Sequence, residues 1–285
     1  MTSSSRVWFI TGASSGFGRN MAEFVLQKGD NVIATARRPS LLDDLVAQYP
    51  TERLLVLSLD VTQQQQVIDA FSRAKASFGR IDVVVNNAGV TNLGELESVA
   101  EEKAKIIMDT NFWGAVYVTR EAVKVFRESN PPGVGGRLLQ ISSIAALVGT
   151  PGRAFYTASK HALNGLTESV AAEIDPAWNI KITLIEPGSF DTELIRKTTF
   201  SNPHPAYDNP DLPFTRLRES WSTRVGRGDS RKAVQAFYKL ADLKDPPLHF
   251  IVGVDANEMA RKKLADLQAS LDLYESWSVG LDRDA

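Results

Sequence analysis

FITGASSGFG, residues 9–18, sets three glycines and two serines directly behind a short apolar run. Two things call for so permissive a backbone. One is a tight turn from a strand into a helix. The other is a phosphate cradle, because the first N–H groups of a helix lack intrahelical partners and carry partial positive charge. A pyrophosphate settles there only where no Cβ blocks its approach, and Gly12, Gly16 and Gly18 supply that access. The spacing is GxxxGxG rather than GxGxxG, so the motif alone does not separate turn from cradle.

On either side of it, strand and helix patterns alternate. Residues 6–11 read as a buried strand, after which Phe17, Met21, Phe24 and Val25 recur at helical spacing as far as Gly29. Further strands are expected at 31–36, 54–61, 81–89, 136–143, 181–188 and 248–253, and helices at 40–49, 63–77, 98–128, 153–175, 230–243 and 255–276. Along the last helix Ala260, Leu264, Leu267, Leu271 and Tyr274 share one face. Continuous apolar strands separated by helices imply a parallel sheet buried on both faces. Right-handed crossovers then give an α/β doubly wound Rossmann fold, with a seven-stranded, mainly parallel sheet and helices on both faces. No linker divides the chain, so 1–285 reads as a single domain. Within it, residues 190–226 form a long irregular segment rich in Pro, Asn, Asp and aromatics, and 229–278 a closing helix–strand–helix.

Bulk properties narrow the function. A net charge of −2 creates no strong field for nucleic acid or anionic lipid. No apolar run approaches the roughly 20 residues of a spanning helix, and the start lacks a secretory pattern. There are no cysteines, which excludes disulfides and thiolate chemistry and is compatible with a reducing compartment. His161, His204 and His249 are scattered without metal-ligand spacing. The expectation is a cytoplasmic protein without metal, membrane or nucleic-acid partner.

The second strand ends about twenty residues beyond the turn, where a dinucleotide's ribose is expected. An acid there would bind a free 2′-hydroxyl. This chain offers Arg37 and Arg38 instead, and guanidinium groups match a phosphate bidentately. The reading is NADP(H), with NAD(H) as the alternative, and Ser14 or Ser15 adds a hydroxyl to the 2′-phosphate. Asp60, at the end of the third strand, either accepts from an adenine amino group or caps the helix beyond Thr62. The run NNAG, 86–89, ends strand four with groups suited to hold strand ends together and to let a ligand approach closely.

TGASSGFG, LDV, NNAG, ISS, YTASK and PGSFDT stand in the order and spacing of the short-chain dehydrogenase/reductase family, which the chain resembles over about residues 6–192. That resemblance makes 6–192 the cofactor-binding part and adds Phe17, Val61, Asn87, Ala88, Gly89, Pro187, Gly188 and Phe190 to the expected cofactor contacts. It also implies that Thr192 meets the nicotinamide carboxamide.

Tyr156 and Lys160 lie four apart, on one helix face. Ser143 lies thirteen positions before Tyr156, a spacing that selects it over Ser142. Reducing a ketone requires a hydride and a proton. A free phenol, with a pKa of about 10, is a poor donor at neutral pH, and a neighbouring ammonium lowers it. Tyr156 therefore reads as the acid, Lys160 as its tuner and Ser143 as the group that holds the substrate oxygen. The resemblance further implies that Lys160 binds the nicotinamide ribose and that Asn111 holds a relaying water.

The expected partner is a small, apolar carbonyl compound or alcohol. Phe190, Phe200, Tyr207, Phe214 and Trp221 either form a lid over it or anchor their loop to the core. A nucleotide-binding regulator without catalysis is the rival reading, opposed by the intact Ser143, Tyr156, Lys160 and Asn111 set. A hydrolase is set aside for want of a G-x-S-x-G elbow. The family's habit implies a homodimer or homotetramer through the helices near 98–128 and 153–175.

Overall fold

The structure, a computed structural model, describes residues 5–223 and 225–283. Seven strands build one sheet: β1 (Val7–Ile10), β2 (Asn31–Ala36), β3 (Leu54–Ser58), β4 (Val83–Asn86), β5 (Gly136–Ile141), β6 (Ile180–Pro187) and β7 (His249–Val252). Their spatial order is β7-β6-β5-β4-β1-β2-β3, and every pairing is parallel. Parallel neighbours need crossovers, and helices fill them, except for the last helix, which follows β7. They are α1 (Gly16–Gln27), α2 (Gln64–Phe78), α3 (Glu101–Met108), α4 (Ala115–Glu128), α5 (Ala154–Glu173), α6 (Pro213–Glu219), α7 (Ser230–Leu240) and α8 (Val254–Tyr274).

The period-two alternation of a strand sorts β1 between two cores. Trp8 and Ile10 pack with Met21, Val25 and Phe237 on one face of the sheet. Val7 and Phe9 pack with Phe71, Val118 and Phe126 on the other. That double burial is why the strands read as unbroken apolar runs.

Two expected helices differ. The 40–49 helix shrinks to a 3₁₀ turn, Pro39–Leu42, followed by one turn, Asp43–Val46. The expected 98–128 helix is α3 and α4 joined by a π-helical stretch, Asp109–Gly114. The widening has tertiary causes. Asn111 is tied to Val90, and a Cβ on Gly114 would press into Val61.

The segment 190–226 is pinned at both ends by two-residue parallel ladders. Phe190–Asp191 pairs with Gly228–Asp229, and Asn92–Leu93 with Thr199–Phe200. Among the described residues, no helix is long and apolar enough to cross a membrane.

Candidate active site

A cleft follows the carboxyl ends of β1 to β6, the ligand side of a doubly wound sheet. At its centre the glycine turn leads into α1. Gly12 and Gly16 hold left-handed backbone, with φ of 64° and 55°, and both line the cleft. Gly18 does not. A Cβ there would strike the Gly12 carbonyl and the Asn87 amide, so its bareness serves packing rather than ligand access, correcting the expectation. Asn87 donates through Nδ2 to the Thr11 carbonyl at 2.8 Å and the Gly12 carbonyl at 3.3 Å, while Thr11 Oγ1 accepts from the Asn87 and Ala88 amides. The ends of β1 and β4 are thereby stitched together.

The turn already holds an anion. The Gly16 N–H donates to a carboxylate oxygen of Glu193 at 2.9 Å. An oxygen of that charge at the first turn of a helix is what a pyrophosphate would present, so the residues fit the group. Ser14, Ser15 and Phe17 also line the cleft. The Phe17 ring packs edge-on against Phe190 at 5.4 Å and Phe237 at 5.3 Å, so its side chain belongs largely to the core.

Arg37 and Arg38 follow β2 directly, exposed along the cleft wall. Among the described residues, neither guanidinium makes a hydrogen bond or an ion pair. Asp60 closes a turn with Thr62 at the edge of the cleft. One carboxylate oxygen accepts from the Thr62 amide at 3.0 Å and the Thr62 hydroxyl at 2.8 Å, and the residue lines the cleft beside Val61. Ala88 and Gly89 line it from β4, and Pro187, Gly188, Phe190 and Thr192 from β6 onward.

At the far end, α5 carries Tyr156 and Lys160, both buried, one turn apart. Ser143 Oγ accepts from the Ala145 amide at 3.1 Å and hydrogen-bonds the Tyr156 phenol. Ser142 turns its hydroxyl to Asn164 Oδ1 at 2.6 Å, and Asn164 donates to the buried Glu186 carboxylate at 2.6 Å. The two serines thus divide into one facing the phenol and one bracing the strand end.

Burial pushes the Tyr156 pKa up; the Ser143 hydrogen bond and the positive charge of Arg153 pull it back. Lys160 was expected to do that lowering. Its Nζ lies 5.9 Å from the Tyr156 ring centre and donates to the Ile141 carbonyl at 2.8 Å. Burial also drops its own pKa to about 8. Arg153 thus adds a positive charge that favours the phenolate, alongside the Ser143 hydroxyl. Sequence reasoning passed over Arg153; its signal is a position three before Tyr156 on the same helical run.

Asn111 does not line the cleft. Its Oδ1 accepts from the Val90 amide at 2.8 Å, and its Nδ2 donates to the Val90 carbonyl and to Ser159 Oγ, both at 3.0 Å. These bonds hold the chain just beyond β4 against α5. Glu193 and the Asn164–Glu186 pair were also unforeseen, since their partners lie far away in sequence.

Of the loop aromatics, only Phe190 lines the cleft. Phe214 is buried over Gly152, and Phe200 stacks on it at 6.4 Å. Trp221 packs on Phe200 at 5.6 Å and lies under the Arg153 guanidinium at 5.5 Å. Arg218 covers Phe214 and donates to the buried Glu95 carboxylate at 2.9 Å. These rings anchor the loop. The apolar wall facing the cleft is aliphatic: Leu194, Ile195, Pro213, Leu217 and Met259. Among the described residues, no cluster of three or more His, Asp or Glu could hold a metal ion.

A family model described as short chain dehydrogenase matches residues 6–202. An uncharacterized oxidoreductase of Schizosaccharomyces pombe is 39% identical over 278 residues, spanning 96% of this chain and 91% of its own. The solved short-chain dehydrogenase of Streptomyces avermitilis superimposes with a TM-score of 0.88 at 37% identity, covering 99% of this chain and 100% of that one. A short chain dehydrogenase of Burkholderia cenocepacia in complex with NADP gives 0.73 at 28% identity, over 94% and 96%. A Burkholderia phymatum enzyme in complex with NAD shares the fold, with a TM-score of 0.74 at 21% identity over 99% and 98%.

Proposed function

The chain belongs to the short chain dehydrogenase family of oxidoreductases, and from that membership we propose that it interconverts a small apolar carbonyl compound and its alcohol with NADP(H). One observation carries the reading. A single cleft has the Ser143–Tyr156 pair at one end and the uncompensated guanidiniums of Arg37 and Arg38 at the other.

The residues divide the work. Arg37 and Arg38 take the 2′-phosphate, and the N-terminus of α1 takes the pyrophosphate. The nicotinamide, when bound, supplies the hydride. Ser143 donates to the substrate oxygen and Tyr156 passes it the phenolic proton, leaving a phenolate whose charge Arg153 offsets. In alcohol oxidation the same phenolate is the base. Lys160, held by the Ile141 carbonyl, is aimed at the cofactor ribose. Leu194, Ile195, Leu217 and Met259 present an apolar wall, and segment 190–226, anchored by its aromatics, borders it as the substrate loop.

Two measurements test this. Fluorescence titration is expected to show NADPH binding at least about tenfold tighter than NADH, a difference of one charge-assisted contact. NADPH consumption is then followed across a panel of ketones from small to bulky. Equal affinity for both cofactors removes the NADP(H) assignment. Absence of turnover on every carbonyl, with NADPH bound, removes the catalytic one.

A further inference from the structure

Helix α8 leaves the body of the protein. Its first turns rest on it: Ala256 and Ala260 are buried against Ile144, and Asp255 and Met259 reach the cleft. From residue 261 to 283 every residue is exposed. The apolar stripe does not stop where the body does. Leu264, Leu267, Leu271 and Tyr274 continue it while 64%, 48%, 67% and 49% exposed.

Single exposed leucines are ordinary, but a contiguous stripe of them marks a contact surface. The spacing says what fits it. From Ala260 the apolar positions recur every four, three, four and three residues, the a/d seam of a two-stranded coiled coil. Leu264 and Leu271 take a; Ala260, Leu267 and Tyr274 take d. Arg261, Gln268 and Glu275 then flank the seam at e.

Charge fixes the direction. The helix is basic at its start, Arg261 to Lys263, and acidic toward its end, Asp272 and Glu275. A parallel pair would set like charges side by side. An antiparallel pair that packs Leu264 on Tyr274 of the partner subunit, and Leu267 on Leu271 of the partner subunit, sets Arg261 against Glu275 of the partner subunit. The twofold axis makes each contact twice. Among the described residues, neither Arg261 nor Glu275 is ion-paired within its own chain.

We propose that α8 pairs antiparallel with α8 of a second copy of this chain, forming a dimer contact separate from the helices at 101–128 and 154–173. A free helix of this length is marginal in water. Here its first turns are already fixed by packing on Ile144, so pairing has less to order.

Sedimentation at micromolar chain concentration tests it. Leu267→Asp with Leu271→Asp is expected to halve the mass while leaving the body of the protein folded, since both side chains are exposed. Arg261→Glu alone and Glu275→Arg alone are each expected to weaken association about tenfold, and the two together to restore it. An unchanged mass in the double aspartate variant overturns the proposal. So does failure of the combined charge swap to restore association. A third overturning result is binding of the parent to phosphatidylcholine–phosphatidylserine vesicles that the aspartates abolish with no change in mass, because the stripe is then a membrane-facing surface.

Discussion

The carboxylate of Glu193 sits on the amide of Gly16, across 177 residues of chain, at 2.9 Å. A side chain from segment 190–226 therefore occupies the first free N–H of α1, where a pyrophosphate oxygen would be received. Like charges compete for one donor. Replacing Glu193 by Gln keeps the size and removes the charge. NADPH is expected to bind about two- to fivefold tighter, matching the usual worth of one charge at a helix N-terminus. Calorimetry on parent and variant decides it, and an unchanged or weaker Kd removes Glu193 from the cofactor's path.

Tyr156→Phe deletes one hydroxyl and little volume. Turnover is expected to fall by about a hundredfold or more, while NADPH affinity stays at the parent value because the phosphate contacts lie at the other end of the cleft. A variant that keeps most of its kcat takes the phenol out of the chemistry.

Arg153 and Lys160 make opposite claims on the alkaline limb of alcohol oxidation. The positive charge of Arg153 opposes the upward push that burial gives the phenol. Arg153→Met is expected to move that limb to higher pH, and Lys160→Met to leave its position unchanged while weakening cofactor binding. If Lys160→Met moves the limb and Arg153→Met does not, the phenol is tuned from behind after all.

Burial that drops Lys160 to about 8, from 10.5, also makes stability depend on pH. Between those values the unfolded chain binds the proton and the folded one does not, so stability rises with pH across the window. Below about pH 8 the buried charge costs on the order of 3 kcal/mol in full. Relative to Lys160→Met, the parent is expected to gain stability between pH 8 and 10.5. Urea unfolding of both proteins at pH 7.5 and 10 measures it, and a difference that stays constant with pH contradicts the shift.

Arg37→Asp exchanges a phosphate-binding cation for a group that repels phosphate and accepts from a free hydroxyl. The NADP-to-NAD preference in kcat/KM is expected to fall by about two to three decades, and Arg37→Ala by less because Arg38 remains. A ratio that moves less than about tenfold would leave the two arginines as solvated surface charges.

The sheet was legible because its central strands are buried on both faces and so spell apolar runs of β length. The cleft was legible because turn chemistry, Arg37–Arg38 and the Tyr156–Lys160 spacing are local patterns. What escaped were properties of distant pairs. Nothing near Asn111 announces that Val90 will consume its amide, and no periodicity warns that the helix widens there. The aromatics of 190–226 sit on elements too short to show a period, so the turn of Phe214 toward Gly152 and of Trp221 toward Arg153 was hidden. Gly18 read as an open approach because its neighbour Asn87 arrives from another strand.

Because β1 lies between β2 and β4, the crevice is assembled by two chain segments that never exchange roles. In the proposed function, the guanidiniums that select the coenzyme hang on the turn after β2. The groups proposed to meet the substrate hang beyond β5, on α5, the 190–226 segment and the base of α8. The two specificities are consequently separable cassettes. A chimera that imports only the later cassette from a relative inherits a new substrate range and keeps the host's coenzyme, so descendants of such a chain can change diet without changing the reducing pool they draw on.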